Sequence, residues 1–481
     1  MACCGNFVPV TTRRRMLQDL ACGFGSLALA GVMNEQSAAA SVMAAKASHI
    51  APRAKRVIFL FMAGGVSHVD SFDYKPTLDR EDGKMRDFDD ARSLAKRGKG
   101  TEARVMKSLW KFRQRGATGK WTSDLFPEMA GCVDDLCFLH GMHTEGVAHG
   151  PATLFLHTGS TNLIRPSMGS WISYGLGTEN ENLPAFVVLS PAAANGGPRN
   201  YGCAFLPAVH QGTFIPSKVE RPDQIVGKDF DPKKLVSFIT NKEFTLQEQR
   251  RELDLLKSLD GLAGAPQDPQ LDAAISAMET AYRMQTEAPD VFDIRKETKA
   301  TLELYGPGST ARGCLMAVRL VERGVRMVQV YYAKGDPWDA HSDIQQHRKN
   351  AKDSDQPFAA VIKDLKSRGL FDETIVVCGS EFGRTPVVEV GGMATAQSGR
   401  DHNPFGFSVW VAGGGFKGGM TYGATDDFGF KAIDKPVHVH DLHATILHQL
   451  GIDHTKLTYR YSGRDFRLTD VSGTVLHDIL A

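Results

Sequence analysis

The sequence predicts an α/β protein with a mostly parallel central sheet covered by helices on both faces and carrying helical insertions. Three observations predict it. Short apolar runs recur along the chain, helical patterns lie between several of them, and polar clusters follow their carboxyl ends. The first run, VIFLFMA at 57–63, is closed by Gly64-Gly65 and reads as a buried strand. AFVVL at 185–189, VRMVQVYY at 325–332, TIVVCG at 374–379 and FSVWVA at 407–412 repeat the pattern. Helical periodicity at 310–323 precedes the third run, and at 356–368 it precedes the fourth. A last helix is predicted from Asp441, a natural N-cap, with Leu442, Ile446, Leu447 and Leu450 on its apolar face.

Two stretches break this rhythm. Residues 75–123 are strongly charged and read as a peripheral, partly helical insertion. Residues 230–303, rich in Lys, Glu, Gln, Leu and Ala, read as a helical excursion broken near 261–269. Both are expected to elaborate one domain spanning 53–481, with 41–52 as a linker.

Of the 481 residues, 42% are hydrophobic and 23% charged, an ordinary globular composition. Lys and Arg (56) nearly cancel Asp and Glu (55), and no basic stretch interleaves with aromatics. Nucleic acid is therefore not an expected partner, since its binding rests on concentrated positive charge. No apolar run is long enough to span a bilayer, so no transmembrane segment is expected in the mature chain. The N-terminus reads as a targeting signal. Thr12-Arg13-Arg14-Arg15-Met16-Leu17-Gln18 fits a twin-arginine pattern, an apolar stretch runs from Leu20 to Met33, and Ala38-Ala39-Ala40 offers a cleavage site. Residues 1–40 are thus expected to engage the twin-arginine export machinery, which places the mature chain in the periplasm or outside the cell. Outside this signal stand Cys132, Cys137, Cys203, Cys314 and Cys378. Their odd number and lack of CxxC spacing indicate neither a disulfide framework nor a zinc ribbon.

In sheets of this class the ligand sits beyond the carboxyl ends of the strands. There stand Ser67-His68-Val69-Asp70, Trp338-Asp339-Ala340-His341 and Ser380-Glu381-Phe382-Gly383. Asp339 and His341 are two apart, so an extended or turning backbone can aim both at one ion. His402, in the Gly-rich loop before the last apolar run, is a third candidate, and Asp70 and Glu381 would complete a carboxylate-rich site. Asp, Glu and His in this mixture suit a divalent metal ion: Zn, Mn or Fe, or Ca if oxygens dominate.

The order Asp70, Asp339 with His341, Glu381 and His402 resembles the alkaline-phosphatase superfamily, which includes sulfatases, phosphodiesterases and cofactor-independent phosphoglycerate mutases. The strings GGVSHVDSFDYKP, RPSMGSWISYGLG, SEFGRTP, GRDHNPFGFSVWVAGGGFKGG and DLHATILHQLGID more closely resemble a large bacterial family. Its members are twin-arginine-exported and sulfatase-like, and carry the domain of unknown function 1501. The resemblance covers nearly the whole chain. It implies an alkaline-phosphatase-like fold and an anionic ester or sulfated glycan as substrate.

The segment His149 to Gly159 is similar to the sulfatase pattern Cys/Ser-x-Pro-x-Arg followed by Thr-Gly, with Pro151, Thr158 and Gly159 in register. His149 stands at the nucleophile's place and Thr153 at the arginine's. Neither becomes formylglycine, so the usual nucleophile is absent. Phe382 replaces an imidazole the superfamily uses for metal, which His149 or His68 would then supply. Asp343 and His347 share a spacing used in the superfamily and form a reserve pair. Arg384 is the cation expected to meet an ester oxygen, and His149, ahead of a helix beginning at Pro151, is expected to ligate or catalyse. The reading that follows is an exported, metal-dependent sulfate- or phosphate-ester hydrolase. The alternative is an inactive sulfatase-like protein that binds a sulfated glycan or a partner protein.

Overall fold

The computed structural model describes residues 43–89, 94, 98, 100–191, 193–216, 223, 225–227, 230–236, 241, 243–262, 269–333, 335–389 and 398–481. The signal expected at 1–40 lies outside these residues. The apolar runs gather into a nine-stranded sheet. Its strands are β1 (Arg56–Phe61), β2 (Leu136–His143), β3 (Phe186–Leu189), β4 (Thr213–Ile215), β5 (Met327–Tyr331), β6 (Thr374–Gly379), β7 (Phe407–Ala412), β8 (Met420–Tyr422) and β9 (Val437–His438). The order is β8-β2-β7-β6-β1-β5-β3-β4, with β9 also paired to β2. Every pairing is parallel except those of β7, which runs antiparallel to both β6 and β2.

The helices that flank the sheet are α1 (His149–Thr158), α2 (Met168–Leu176), α3 (Leu246–Leu262), α4 (Pro269–Phe292), α5 (Ser309–Glu322), α6 (Gln346–Ser367) and α7 (Val439–Gln449). Side chains alternate across each strand, so the sheet feeds two cores. Ile58, Leu60, Val328 and Val376 pack with Leu315 and Val318 of α5 and Phe358 and Val361 of α6. Val57, Phe59, Phe61 and Val377 pack with Phe155 of α1, Trp171 of α2 and Ile446 of α7. Each such fully buried side chain contributes about 1.5–3 kcal/mol. The three-layer arrangement is the one the sequence predicts.

Several elements differ from expectation. β2 is unforeseen because His140 and Gly141 interrupt its apolar pattern, although six of its eight residues are buried. Helix α6 begins ten residues before the predicted 356 and carries Pro357 within it. Asp441 does not cap α7: His438 is the N-cap, and Asp441 sits at the third position, accepting from the His438 N–H at 2.9 Å. Among its described residues the 75–123 stretch holds a short helix, Pro76–Glu81, and the hairpins Met85–Phe88 with Thr101–Arg104 and Phe112–Arg115 with Lys120–Ser123. In the second excursion α3 ends at Leu262 and α4 starts at Pro269, and 263–268 lies outside the described residues.

Register places the polar clusters together. Phe61 of β1 pairs with Gly379 of β6 on one side and Tyr331 of β5 on the other, so three parallel strands end level. The antiparallel β7 brings its amino-terminal approach, 398–406, to that same edge. β2 runs parallel to β1 and exits there too, into α1 and His149. Among the described residues, no helix is long and apolar enough to cross a membrane.

Candidate metal centre

His149, Asp339, His341 and His402 converge at this edge, with one ligand atom of each lying within 4.8 Å of the others. Asp339 Oδ1 is 2.9 Å from His341 Nε2, 3.2 Å from His149 Nε2 and 3.3 Å from His402 Nε2. His341 Nε2 and His402 Nε2 are 3.0 Å apart. Ligands at ~2.0–2.1 Å around a tetrahedral ion stand roughly 3.3 Å from one another, close to these separations. His149 Nε2 is buried and makes no aligned hydrogen bond. The Asp339 and His341 side chains are 28% and 23% exposed, so a ligand can reach the cluster from solvent.

Each imidazole is held from behind. His149 Nδ1 donates to Glu381 Oε1 at 2.6 Å, His341 Nδ1 to Glu389 Oε2 at 2.7 Å, and His402 Nδ1 to the Val147 carbonyl at 3.0 Å. A carboxylate or carbonyl only accepts, which fixes a proton on Nδ1 and turns Nε2 inward, where a cation would displace any proton it holds. Backbone fit sets the spacing. Gly64, at φ +111°, lets the turn at 338–339 approach so closely that a Cβ would lie 2.6 Å from the Asp339 nitrogen. Gly399 abuts His341 more tightly still: a Cβ there would meet the His341 carbonyl at 1.6 Å.

Without an ion the cluster is strongly polarised. Burial pushes His149 down, but the Asp339 and Glu381 carboxylates outweigh it and raise it to about 9. His341 follows the same logic, lowered by burial and raised to about 9 by Asp339 and Glu389. Burial dominates at His402 and holds it below its usual value. Burial alone would raise Asp339; the three imidazoles and Arg384 hold it far below the carboxylate range.

The other predicted site residues fall into distinct places. Glu381 is fully buried and takes hydrogen bonds from the Gly64 N–H at 2.9 Å and the Ser380 hydroxyl at 2.9 Å, so it stands behind His149 and supports it. Arg384 is also fully buried. It donates to Asp339 Oδ1 at 2.7 Å, to Gly65 O at 2.8 Å, to Arg400 O at 3.1 Å and to Gly64 O, so it orients Asp339 and has no donor turned to solvent.

Asp70 departs most from its expected place. It pairs with Arg400 Nε at 2.7 Å and accepts from the Ser67 hydroxyl at 2.5 Å, and it is not among the groups whose ligand atoms converge. His68 Nε2 is bound to Gly429 O at 2.6 Å, and His347 accepts the Ser67 N–H at 3.1 Å. Asp343 accepts from the Gln345 N–H at 2.9 Å and the Ser398 hydroxyl at 3.0 Å, so the reserve pair is committed to the fold. Phe382 lies with its ring centroid 4.4 Å from that of His402 and 5.0 Å from that of His149, walling the cluster.

Three residues of the site were not foreseen: Glu389 and Asp401, which group with His341, and Asp336. Asp336 groups with His149 and Glu381, its Oδ2 accepting from Asn195 Nδ2 at 2.5 Å and its Oδ1 buried without a partner. Burial raises its pKa. Asp336 stands three residues before Asp339, in the same strand-end segment, which is the signal that could have found it.

Fold and cluster define the class: a three-layer α/β protein whose strand ends carry three histidines around one aspartate. Residues 54–480 match the family described as "Protein of unknown function (DUF1501)", and the chain belongs to that family. A comparison with curated proteins found no match. Among solved structures the chain is similar to Ps i-CgsB in complex with k-i-k-neocarrahexaose, at 10% identity, covering 83% of this chain and 72% of that one, with a TM-score of 0.37. It is similar to the lipoteichoic acid synthase LtaP from Listeria monocytogenes at 8% identity, 89% and 78% coverage and a TM-score of 0.34. A protein of the alkaline phosphatase superfamily from Vibrio parahaemolyticus matches at 10% identity, 86% and 70% coverage and a TM-score of 0.33.

Proposed function

We propose that this protein is an exported, metal-dependent hydrolase of sulfate or phosphate esters that works without formylglycine. One observation carries the reading. Three imidazoles, each anchored through Nδ1, turn Nε2 onto a single aspartate, an arrangement of donors suited to a divalent cation. An ion there would supply Lewis-acid chemistry, polarising an ester oxygen and acidifying water.

The chain's own residues supply the rest. Glu381 and Glu389 fix the His149 and His341 rings, and Arg384 holds Asp339 in line. Both nitrogens of His149 face carboxylates, Glu381 at 2.6 Å and Asp339 at 3.2 Å, which favours ligation over attack on the ester. Asp336 Oδ1 is the group placed to hold or release a proton beside the cluster, since Asn195 orients the carboxyl and burial favours its neutral form. Export rests on Arg13 and Arg14: replacing both with lysine should leave the precursor in the cytoplasm, and normal export of that variant would remove this part of the proposal.

Aryl sulfate and aryl phosphate esters, given to ion-loaded protein, test the chemistry. Asp336→Asn should slow turnover by about a hundredfold or more with the ion retained, whereas His149→Ala should lose the ion itself. A parent protein with a full complement of ion and no turnover of either ester sinks the hydrolase. That result leaves the alternative, a protein that binds an anionic ligand without cleaving it.

A further inference from the structure

Well outside the centre, the sequence TYRYSGRDF at 458–466 folds into a hairpin, Tyr459–Tyr461 against Arg464–Phe466. Ser462 and Gly463 take φ of 47° and 83°, the left-handed pair that a two-residue turn requires. Tyr459 and Tyr461 share one face of their strand. Phe205 stacks on both, at 5.9 Å and 22° on Tyr459 and at 4.9 Å and 14° on Tyr461. Tyr461 is nonetheless 49% exposed, with Phe205 stacked on its ring and the Phe466 centroid at 6.4 Å.

Cations frame the neighbouring ring of Phe466, whose centroid lies 6.4 Å from that of Tyr461. The guanidinium of Arg165 lies 4.4 Å from the centroid of Phe466, and that of Arg464 lies 4.9 Å from it. Arg464 pairs with Asp470, and Arg460 with Asp465 at 3.2 Å. Arg165 has no ion pair or hydrogen bond among the described residues, and Phe466 is its aromatic partner. On these segments Arg165, Arg460, Arg464 and Arg467 outnumber Asp465 and Asp470, four positive charges against two negative. Holding the hairpin to the body accounts for the covered faces of these rings. It accounts neither for the exposure of Tyr461 nor for the placement of Arg165, which makes no close ion pair among the described residues.

We infer that Tyr461, Arg165 and Arg464 form a docking surface for an anionic sugar chain, one bearing sulfate or carboxylate groups. A pyranose ring lays its C–H face on an aromatic ring, and its sulfate accepts the paired N–H groups of a guanidinium. Leu163 and Ile164, 54% and 68% exposed, border Arg165 and add apolar contact for the sugar edges. The rigid hairpin lowers the entropy lost on binding. The inference rests on the proposed function only in taking the ligand to be an ester-bearing anion, for which it names a sugar chain as the carrier; binding at the hairpin needs no turnover.

Calorimetric titration of the ion-loaded exported protein tests it, using sulfated chondroitin, fucan and galactan hexasaccharides with their desulfated forms. At least one sulfated hexasaccharide should bind. Tyr461→Ala and Arg165→Gln should each weaken it about fivefold or more, with Tyr461→Phe close to the parent and melting temperatures unchanged. His341→Ala should bind the sugar as the parent does, so loss of the centre leaves this surface standing. Binding by a parent that cleaves no ester would likewise keep the surface and remove the hydrolase. The inference fails if none of the sulfated sugars binds, if the desulfated forms bind equally well, or if both substitutions leave affinity unchanged. It also fails if phosphatidylglycerol vesicles, rather than sugars, bind in a Tyr461-dependent way.

Discussion

At pH 7 and without an ion, His149 and His341 each carry a proton that an incoming cation must displace, since both titrate near 9. Ion binding at pH 7 is therefore predicted to release close to two protons, about one from each ring, and apparent affinity should rise with pH up to about 9. Calorimetry in buffers of differing ionisation enthalpy counts those protons, and a count near zero would contradict the assignment. The same shifts stabilise the ion-free fold. Because the folded values lie above 6.5, that contribution is full below pH 6.5 and is lost as pH rises through about 9.

Asp70 makes the opposite prediction. Its pair with Arg400 is fully buried on both sides, so Asp70→Asn leaves a buried charge unpaired and should cost about 3–5 kcal/mol of stability by denaturant unfolding. The surviving folded protein should keep its ion. Loss of the ion with the fold intact would return Asp70 to the centre. Asp339, His341 and His402 were legible because they follow strands that a parallel sheet brings together. Asp70 was expected beside them; its pairing with Arg400, 330 residues away, is made only by the folded chain. Asp336 escaped notice for the same kind of reason: its character comes from Asn195, 141 residues distant, and from burial.

At the scale of elements, the centre depends on close approach between the 338–341 turn and the 398–402 loop. The Arg400 N–H donates to Ala340 O at 3.1 Å and the Ile344 N–H to Ser398 O at 3.1 Å, so the two segments run side by side and present His341 next to His402. Gly399→Ala is predicted to force them apart and lower ion affinity at least about tenfold, measured by competition with a chelator. Parental affinity in that variant would show that the loop is free to yield. Helix α1, which begins with His149, is held at its other end by His443 Nε2, which donates to Leu156 O at 2.8 Å. Burial lowers His443 and His157 to about 3 each. A depressed value means these groups stabilise the fold fully above pH 6.5, and that stability drains away as pH falls toward 3. The urea midpoint should therefore drop between pH 7 and pH 4, and a constant midpoint would contradict the neutral, buried state of these rings. Strands with unbroken apolar runs were legible in the sequence. β2 was not, because the half-buried His140 is accommodated by its bond to the Ser408 hydroxyl on β7, at 2.8 Å.

For the whole molecule, fold class was the most legible feature, because alternating apolar strands and amphipathic helices leave few ways to cover a sheet. The reversed direction of β7 was not legible, since strand composition does not encode orientation. That reversal matters, for it delivers 398–402 to the edge where β1, β5 and β6 end. Anomalous X-ray diffraction from crystals of the protein loaded with one equivalent of manganese or zinc tests the centre most directly. One peak is predicted, about 2.0–2.2 Å from Nε2 of His149, His341 and His402 and from the Asp339 carboxylate, and absent in His341→Ala. A peak beside Asp70, no peak at all, or an undiminished peak in His341→Ala would contradict it.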